Sequence, residues 1–355
     1  MSVDVNRRDR VRDDAPGFPW HCPRCHGALI SSARALRCDG CWASYDFIGR
    51  IPDLRVNVPA WIDFDRDRAE ALRLADQAAS RTAADLAREV FRARPNWSDA
   101  RVELRTSQVM GGPPRARKEI DGWLAPVVAA RGTVVEIGCG TGGLLAALPR
   151  GKTAVGLDVS LVWLVVAERL LEQHGRSRPA LAAAVAEALP LAERSVGSIV
   201  ALDVIEHVGD LPQALREIDR VAAPGAALAC STPNRFSLAA EPHVGVWGVG
   251  WLPRRWQPTW VRWRTGDEYK YVRLMSAAET ARCFSAHTSF MVRAEVPPVP
   301  DEEIERFGRR RAWLAGWYNR LHAVTWLRRP FLFVGPFFRI VGRKSEGQRP
   351  QRLSL

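Results

Sequence analysis

Thr133-Val-Val-Glu-Ile-Gly-Cys-Gly-Thr-Gly-Gly143 passes from a short apolar run into closely spaced glycines. The run at 134–137 predicts a buried strand, and the following 144–148 predicts the first turns of a helix. Glycines at this spacing let the backbone turn sharply and approach a ligand without a Cβ in the way. Asp158 follows the next predicted strand, where a carboxylate can accept hydrogen bonds from both hydroxyls of a ribose. The two features together predict a nucleoside-containing cofactor at the edge of an α/β sheet.

The glycine spacing alone is compatible with two kinds of cofactor. Gly138, Gly140 and Gly143 match the G-x-G-x-x-G pattern of dinucleotide-binding folds. Glu136 lies two residues before the first glycine, where a carboxylate would repel a pyrophosphate. The same carboxylate suits a cofactor that carries a positive amino group.

The downstream segments repeat the alternation of strand and helix. The sequence predicts a strand ending near Asp203, a helix over 210–221 and one more apolar strand over 226–231. The chain from about 120 to about 235 resembles the class I S-adenosylmethionine-dependent methyltransferases, in the broad group that contains the ubiquinone and menaquinone biosynthesis methyltransferases. The matching pieces are Glu136-Ile-Gly-Cys-Gly-Thr-Gly142, Gly156-Leu-Asp-Val-Ser160, Glu187-Ala-Leu-Pro190, Asp203-Val-Ile-Glu-His207, Arg216-Glu-Ile-Asp-Arg-Val221 and Pro224-Gly225.

This resemblance implies an α/β fold with a Rossmann-like, mostly parallel, seven-stranded sheet, and it implies S-adenosyl-L-methionine as cofactor. It implies that the first strand end and the glycine loop bind the methionine part of the cofactor, and that the end of the next strand binds the ribose. It also implies that the segment near 186 flanks the adenine, and that the fourth strand forms the floor beneath the methyl group. The residues implied, in that order, are Glu136, Gly138, Gly140 and Gly142; Asp158 and Val159; Ala186 and Glu187; and Asp203.

Two positions depart from the pattern of the family. Many relatives place an Asp before the Ala-Glu pair, where this chain has Val185, and many begin the fourth strand with Phe-Asp, where it has Val196 and Gly197. Glu187 is the candidate to replace the missing adenine acceptor. These departures keep open a non-enzymatic alternative, a catalytically weak scaffold subunit that pairs with an active enzyme.

Four cysteines near the start of the chain have the spacing of a metal site. The C-x-x-C pairs Cys22/Cys25 and Cys38/Cys41 are separated by twelve residues, as in a tetrahedral zinc ribbon. Four thiolates leave no open position for water, so a structural zinc is favoured over a catalytic one, with disulfides as the alternative. The segment also resembles a zinc-ribbon domain that occurs alone as a methyltransferase activator and fused to bacterial methyltransferases.

We expect the following organisation from the motifs and composition. The expected segments are a flexible N-terminus over 1–18, the zinc ribbon over 19–58, a helical linker or lid over 59–115, the methyltransferase domain over 116–345 and a flexible tail over 346–355. Within the methyltransferase domain we expect a cap insertion at about 236–272 and a C-terminal helix at about 301–329. Helical periodicity over 61–94 supports the linker, and Gly111-Gly-Pro-Pro114 is expected to follow it as an irregular connection. Residues 97–110 are expected either to line the acceptor pocket or to pack as an arm.

The composition of the chain indicates its cellular compartment but does not identify the methyl acceptor. The start of the chain has no apolar segment of a secretory signal, and no run reaches the ~20 apolar residues of a membrane span. We therefore expect a cytoplasmic protein. The net charge of +12 is carried almost entirely by dispersed Arg, so it argues only weakly for nucleic acid.

Two aromatic segments follow the last matching motif. The cap holds five tryptophans between 247 and 263 interleaved with arginines, which can stack on and ion-pair with a sugar, quinone or lipid-diphosphate acceptor or can form a rigid apolar cover. Near the C-terminus, Trp313, Trp317 and Trp326 alternate with Arg, a mixture that suits peripheral contact with the inner membrane face. The simpler interpretation is a helix packed before a last strand over 337–341.

His207 and His243 are the candidate catalytic bases, the first after the predicted fourth strand and the second in the cap. The function predicted is O-methylation of a small-molecule, sugar-linked or lipid-linked acceptor. The alternative is methylation of an rRNA or tRNA nucleobase, although the chain lacks an Asn-Pro-Pro-Tyr type motif.

Overall fold

The computed structural model describes residues 18–32, 35–176, 179–306, 308–324, 326 and 328–346. Nearly all of the two segments expected to be flexible, 1–18 and 346–355, lies outside these residues. The chain divides into two compact units, and each is described by itself. The first unit contains Met1–Lys118 and Cys139–Ser195, and the second contains Glu119–Gly138 and Val196–Leu355.

The first unit begins with a small antiparallel sheet. Its strands follow one another in chain order: β1 (Leu29–Ser31), β2 (Ala35–Cys38), β3 (Ser44–Ile48) and β4 (Ile51–Pro52). Trp20, Leu36, Tyr45, Ile48 and Ile51 are buried beside it. Because this core holds so few side chains, the sheet depends on additional fixation, which the cysteines described below are placed to supply.

Three helices with side-chain caps follow this sheet. They are α1 (Phe64–Ala78), α2 (Ala83–Arg92) and α3 (Asp99–Met110). The caps are the side chains of Asp63, Thr82 and Ser98, and Thr82 forms a reciprocal capping box with Asp85. The helical periodicity predicted for 61–94 is confirmed, with a break between α1 and α2 where Thr82 starts a new helix.

The connection expected at Gly111-Gly-Pro-Pro114 is wrong, because a fourth helix, α4 (Gly112–Asp121), begins there. Pro113 and Pro114 lie in its first turn. A first-turn N–H has no partner within a helix, so proline loses nothing at these positions and its fixed φ favours the helix.

The remainder of the first unit is a parallel β–α–β arrangement. It consists of α6 (Gly143–Ala147), β6 (Ala154–Asp158), α7 (Leu161–Gln173) and β7 (Ala180–Ala183). Strands β6 and β7 run parallel, with Asp158 opposite Ala183 at their carboxyl ends. Helix α7 is buried along most of its length, as expected for a helix that connects two parallel strands.

The part of the second unit that the structure describes holds five strands. They are β5 (Thr133–Ile137), β8 (Val196–Leu202), β9 (Ala222–Pro233), β10 (Phe290–Glu295) and β11 (Phe337–Lys344). Strand β8 runs parallel to both β5 and β9, whereas β11 is antiparallel to β9 and β10. The helices of this unit are α5 (Ala125–Val128), α8 (Leu211–Val221), α9 (Gln257–Thr265), α10 (Ala277–His287), α11 (Asp301–Arg306), α12 (Arg309–His322) and α13 (Arg328–Val334).

The strands β5 to β11 form one mixed, mostly parallel sheet in the order β10-β11-β9-β8-β5-β6-β7. This confirms the predicted seven-stranded Rossmann-like fold. Since β5, β8 and β9 are parallel, their carboxyl ends lie at the same edge, and open α/β sheets bind ligands in crevices at that edge. The expected strand over 337–341 is also confirmed, as the first part of β11.

The single C-terminal helix expected over 301–329 is instead divided into α11, α12 and the start of α13. Gly308 precedes α12, and Pro330 lies in the first turn of α13. Proline suits the first turn of a helix, so Pro330 favours the start of a new helix at Arg328. Within the part of the chain that the structure describes, no helix is long and apolar enough to cross a membrane.

Candidate functional site

In the first unit, the end of β6 is bound to the glycine loop through Asp158. One carboxylate oxygen, Oδ2, accepts a hydrogen bond of 2.8 Å from the Gly140 amide, and the other, Oδ1, accepts one of 2.8 Å from the Ser160 amide. The Val159 amide also hydrogen-bonds to this carboxylate, and since two carboxylate oxygens offer about four acceptor directions, one remains for a ligand. The carboxylate that the sequence assigns to the ribose is therefore held in place by its own backbone.

The glycines of this loop adopt backbone conformations that other residues rarely adopt. The φ angles are +71° at Gly138, +48° at Gly140 and +74° at Gly142. A Cβ at Gly138 would lie 2.3 Å from Cγ2 of Val204, whereas a Cβ at Gly140 would meet nothing within 4 Å. Gly138 thus serves packing, while Gly140 borders open space.

The other residues assigned to the cofactor lie at strand ends of their own units. Glu136 is buried on β5 in the second unit. In the first unit, Ala186 and Glu187 form a half-buried turn after β7, and Val185 is a buried apolar residue where many relatives have Asp.

Sequence reasoning missed a buried ion-pair network beside Val159. The Arg55 guanidinium donates to Asp53, to Asp67 at 2.7 Å and to the Val159 carbonyl at 2.9 Å, and its side chain is fully buried. Asp67, on α1, accepts hydrogen bonds from Ser160 Oγ at 2.9 Å and from the Leu161 amide at 3.0 Å. Asp67 thereby caps α7, whose own N-cap residue has no side-chain cap.

In the second unit, Asp203 follows β8 in a strained conformation. Its φ is +55°, and its Oδ1 accepts a hydrogen bond of 2.9 Å from Ser231 Oγ. Residues in the left-handed region are uncommon outside glycine and concentrate at functional sites.

Glu206, His207 and His243 form a group in the second unit that we call the Glu/His cluster. A ligand atom of each lies within 4.8 Å of the others, and the two imidazole rings meet edge to face at 4.8 Å between centroids. Glu206 is 1% exposed, and its Oε2 accepts a hydrogen bond of 2.9 Å from Thr232 Oγ1. The structure thus brings together the two histidines that the sequence predicted as bases, and it adds a carboxylate that the sequence did not single out.

Both histidines are oriented through Nδ1. His207 Nδ1 lies 3.3 Å from the Tyr271 carbonyl, which can only accept a hydrogen bond. His243 Nδ1 bonds to the buried carboxylate of Glu241, whose other oxygen accepts the amides of His243 and Val244 at 2.9 Å. A proton on each Nδ1 leaves Nε2 as the atom available to a ligand or to a proton.

The protein environment shifts the pKa values of Glu206, His207 and His243 in different directions. Burial raises the pKa of Glu206 to about 7, and the charge of Asp203 adds to the effect. Burial, with help from His243, lowers the pKa of His207. Burial opposes protonation of His243 as well, but the hydrogen bond and charge of Glu241 outweigh it and raise its pKa.

The four cysteines predicted to bind metal are close together in the first unit. Their Sγ atoms all lie within 4.8 Å of one another, with 3.3 Å between Cys25 and Cys38 and 3.5 Å between Cys22 and Cys41. A tetrahedral zinc with bonds of about 2.3 Å requires sulfur atoms about 3.8 Å apart. The positions of the thiols therefore fit one zinc ion.

The cap of the second unit has its own small core and an exposed aromatic surface. Val246, Val249, Val261 and Tyr269 are buried together, with Trp260 packed against them. Four tryptophans stay exposed: Trp247, Trp251, Trp256 and Trp263. Arg254 ion-pairs with Glu279 at 3.0 Å rather than standing free for an acceptor.

Known proteins match part of this chain. A family model described as a methyltransferase domain matches residues 135–230. A ubiquinone biosynthesis O-methyltransferase of Methylobacterium sp. is 31% identical over 174 residues, which cover 48% of this chain and 66% of the relative. A probable S-adenosylmethionine-dependent methyltransferase of Mycobacterium tuberculosis is 37% identical over 123 residues, which cover 33% of this chain and 40% of the relative.

Among solved structures, a Haloferax volcanii complex between a methyltransferase activator and a methyltransferase is similar with a TM-score of 0.45 and 18% identity, covering 69% of this chain and 96% of that one. The curated relatives are thus matched over 40% to 66% of their own length. The segment that the family model matches carries the glycine loop, Asp158 and Asp203. Residues 135–230 of this chain therefore contain a methyltransferase domain that is similar to those of S-adenosylmethionine-dependent methyltransferases.

Proposed function

We propose that the protein transfers a methyl group from S-adenosylmethionine to a hydroxyl oxygen of a small-molecule, sugar-linked or lipid-linked acceptor. When bound, S-adenosylmethionine supplies the methyl group from its sulfonium. The observation that carries the proposal is the Asp158 carboxylate, which backbone amides hold at the end of β6 with an acceptor direction remaining for a ribose hydroxyl.

The remaining residues would divide the cofactor between them. Glu136 would attract the amino group of the methionine part, the backbone of Gly138, Gly140 and Gly142 would allow close approach, and Val159 would lie beside the ribose. Ala186 and Glu187 would flank the adenine, and Asp203 would lie below the methyl group. The support is the position of each residue at or just after a strand end of its own unit.

Oxygen is proposed as the methylated atom because of the Glu/His cluster. A hydroxyl must lose its proton as it is methylated, which requires groups that can hold or displace a proton. The cluster supplies two imidazoles with Nε2 available and one buried carboxylate. The exposed tryptophans of the cap, in the same unit, would stack on a sugar or quinone ring.

The experiment that tests the cofactor site is calorimetric titration of the full chain with S-adenosylmethionine. We expect binding by the wild type and a loss of at least about 100-fold in Asp158→Ala, since each lost charged hydrogen bond contributes about 1.5–3 kcal/mol. Asp76→Ala is the control, because Asp76 is an exposed carboxylate on α1 in the same unit. Equal binding by wild type and Asp158→Ala would contradict the assignment.

The cysteines are proposed to hold a structural zinc ion. The supporting observation is the fit of the four Sγ positions to a tetrahedral ion. Metal analysis of the purified chain should find one zinc, and Cys38→Ser should lose it together with the antiparallel sheet, because so small a core does not fold alone. Retention of the sheet after zinc removal would contradict a structural role.

A further inference from the structure

Glu206 presents a buried oxygen that no other described residue satisfies. Its Oε2 is hydrogen-bonded to Thr232, but its Oε1 is buried and accepts no hydrogen bond from any other residue that the structure describes. An acceptor left without a partner in the interior costs about 1–3 kcal/mol, and more when it is charged. This buried oxygen belongs to a carboxylate that is grouped with two imidazoles, and a bound cation would satisfy it.

The two imidazoles beside it are arranged as metal ligands are. A histidine that binds a metal almost always donates its other ring N–H to a carboxylate or a backbone carbonyl, which fixes the tautomer and the ring orientation. His243 meets the carboxylate of Glu241, and His207 meets the carbonyl of Tyr271, each through Nδ1. Both second partners are in place, and Glu241 is itself 4% exposed and fixed by two backbone amides.

We propose that the Glu/His cluster binds a divalent first-row transition-metal cation through the carboxylate of Glu206 and the Nε2 atoms of His207 and His243. The ligand atoms now lie within 4.8 Å of one another, and ligands at about 2.1 Å from an ion are about 3–3.5 Å apart. The side chain of His243 is 26% exposed and sits on a cap turn, so a small movement of this residue closes the distance.

The donor set defines the class of ion. Two imidazole nitrogens and one carboxylate oxygen suit manganese, iron, cobalt or zinc, whereas magnesium and calcium prefer oxygen ligands alone. Three protein ligands leave coordination positions open, which distinguishes this site from the closed four-cysteine site.

An ion with open positions can act as a Lewis acid. A hydroxyl of the acceptor that binds there would lose its proton to water more readily, and its oxygen would become the better nucleophile. This role rests on the proposed methyl transfer, whereas binding of the ion does not.

The test is titration with Mn²⁺ of the full chain loaded with one equivalent of zinc, which the four thiolates bind in preference to the Glu/His cluster, followed by electron paramagnetic resonance. Mn²⁺ avoids thiolate ligands, so the cysteines do not compete for it. We expect one bound Mn²⁺ per chain with spin-echo modulation from imidazole nitrogen. Glu206→Gln and His243→Gln should weaken binding at least about 10-fold, and so should Glu241→Gln, which removes the charge of the partner of His243.

His287→Gln is the matched control, because His287 also binds a backbone carbonyl through Nδ1 but lies on α10 away from the cluster. Circular dichroism melting of every variant separates loss of the ion from loss of the fold. Absence of saturable Mn²⁺ binding, absence of nitrogen modulation, or equal weakening by His287→Gln would overturn the proposal. Tight binding of S-adenosylmethionine without any Mn²⁺ site would refute the metal alone, whereas Mn²⁺ binding without S-adenosylmethionine binding would refute the methyl transfer alone.

Discussion

At the scale of single residues, the glycines of the cofactor loop serve different purposes. Gly138 is required by packing, since a Cβ there would overlap Val204. Gly140 has no such neighbour, although its amide donates to Asp158. A methyl group added at Gly140 would therefore project into the space that the cofactor is proposed to occupy.

We predict that Gly140→Ala weakens S-adenosylmethionine binding at least about 10-fold. It should lower the free energy of unfolding by only about 1–2 kcal/mol, which is the cost of placing a non-glycine residue in the left-handed region. Calorimetric titration and thermal melting measure the two effects. Gly175→Ala is the matched control, because Gly175 has a φ of +79° in the same unit and lies beside only the tip of Arg150. If both variants bind the cofactor as the wild type does, Gly140 does not border it.

At the scale of secondary structure, the start of α7 depends on another helix. Asp67 on α1 receives the Ser160 hydroxyl and the Leu161 amide and also pairs with Arg55. The loop after β6 is thus anchored by a residue more than ninety positions earlier in the chain.

Asp67→Ala should lower the free energy of unfolding by about 2–3 kcal/mol, because it removes a cap and one partner of a buried guanidinium. Urea unfolding measures the loss, and hydrogen exchange should become faster at the Leu161 amide. The neighbouring Asp65 is exposed on the same helix, so Asp65→Ala should change stability by no more than about 0.5 kcal/mol. Unchanged exchange at Leu161 in Asp67→Ala would argue against the cap.

Gly197 gives a structural reason for one departure from the family pattern. It lies on β8, where the register with β5 and β9 shifts, and a Cβ there would lie 1.8 Å from the Arg131 carbonyl oxygen. The residue is therefore set by close backbone approach in this chain, and the departure needs no loss of activity to explain it.

Gly197→Ala is expected to destabilise the protein by at least about 2 kcal/mol, because the carbonyl is backbone and cannot move aside. Gly316→Ala provides the contrast. Gly316 lies on α12 with nothing within 4 Å of a built Cβ, so alanine should raise stability by about 0.5–1 kcal/mol. Thermal melting of both variants checks the pair, and a stable Gly197→Ala protein would show that the two segments are not in contact.

At the scale of the whole molecule, the net charge of +12 predicts a weak, non-specific affinity for polyanions that is separate from the proposed methyl transfer. With 51 Lys and Arg against 39 Asp and Glu, the chain should bind RNA through phosphates alone. We predict association with a non-substrate RNA that weakens steeply between 50 and 200 mM salt, as expected for counterion release.

The same RNA should stay at background when it is incubated with S-adenosylmethionine labelled in the methyl group. Specific methylation of rRNA or tRNA, with binding that survives added salt, would favour the nucleobase alternative over a small acceptor. A poly-glutamate competitor that displaces the RNA would show that charge alone governs the association.

Much of the architecture could be predicted from local pattern. The apolar run before Gly138, Asp158 after the next strand and the paired cysteines are close in sequence, and each motif forms largely from its own neighbours. Gly112 to Pro114 misled the prediction, because proline breaks the interior of a helix but is well suited to its first turn. The ion pair between Arg55 and Asp67 could not be predicted from the sequence, because a charged residue in an amphipathic helix such as α1 is ordinarily exposed to solvent.

The amino-acid sequence by itself determined the class of this protein: the strand-glycine-helix order, the carboxylate after the second strand and the spacing of the cysteines all depend on short-range geometry. Only the tertiary structure decided that Glu206, His207 and His243 meet, because the cap returns His243 to the end of β8 across more than thirty residues. Short-range patterns record which conformations a segment can adopt. They do not record which side chains a long connection brings within reach, and that proximity sets the chemistry at the site.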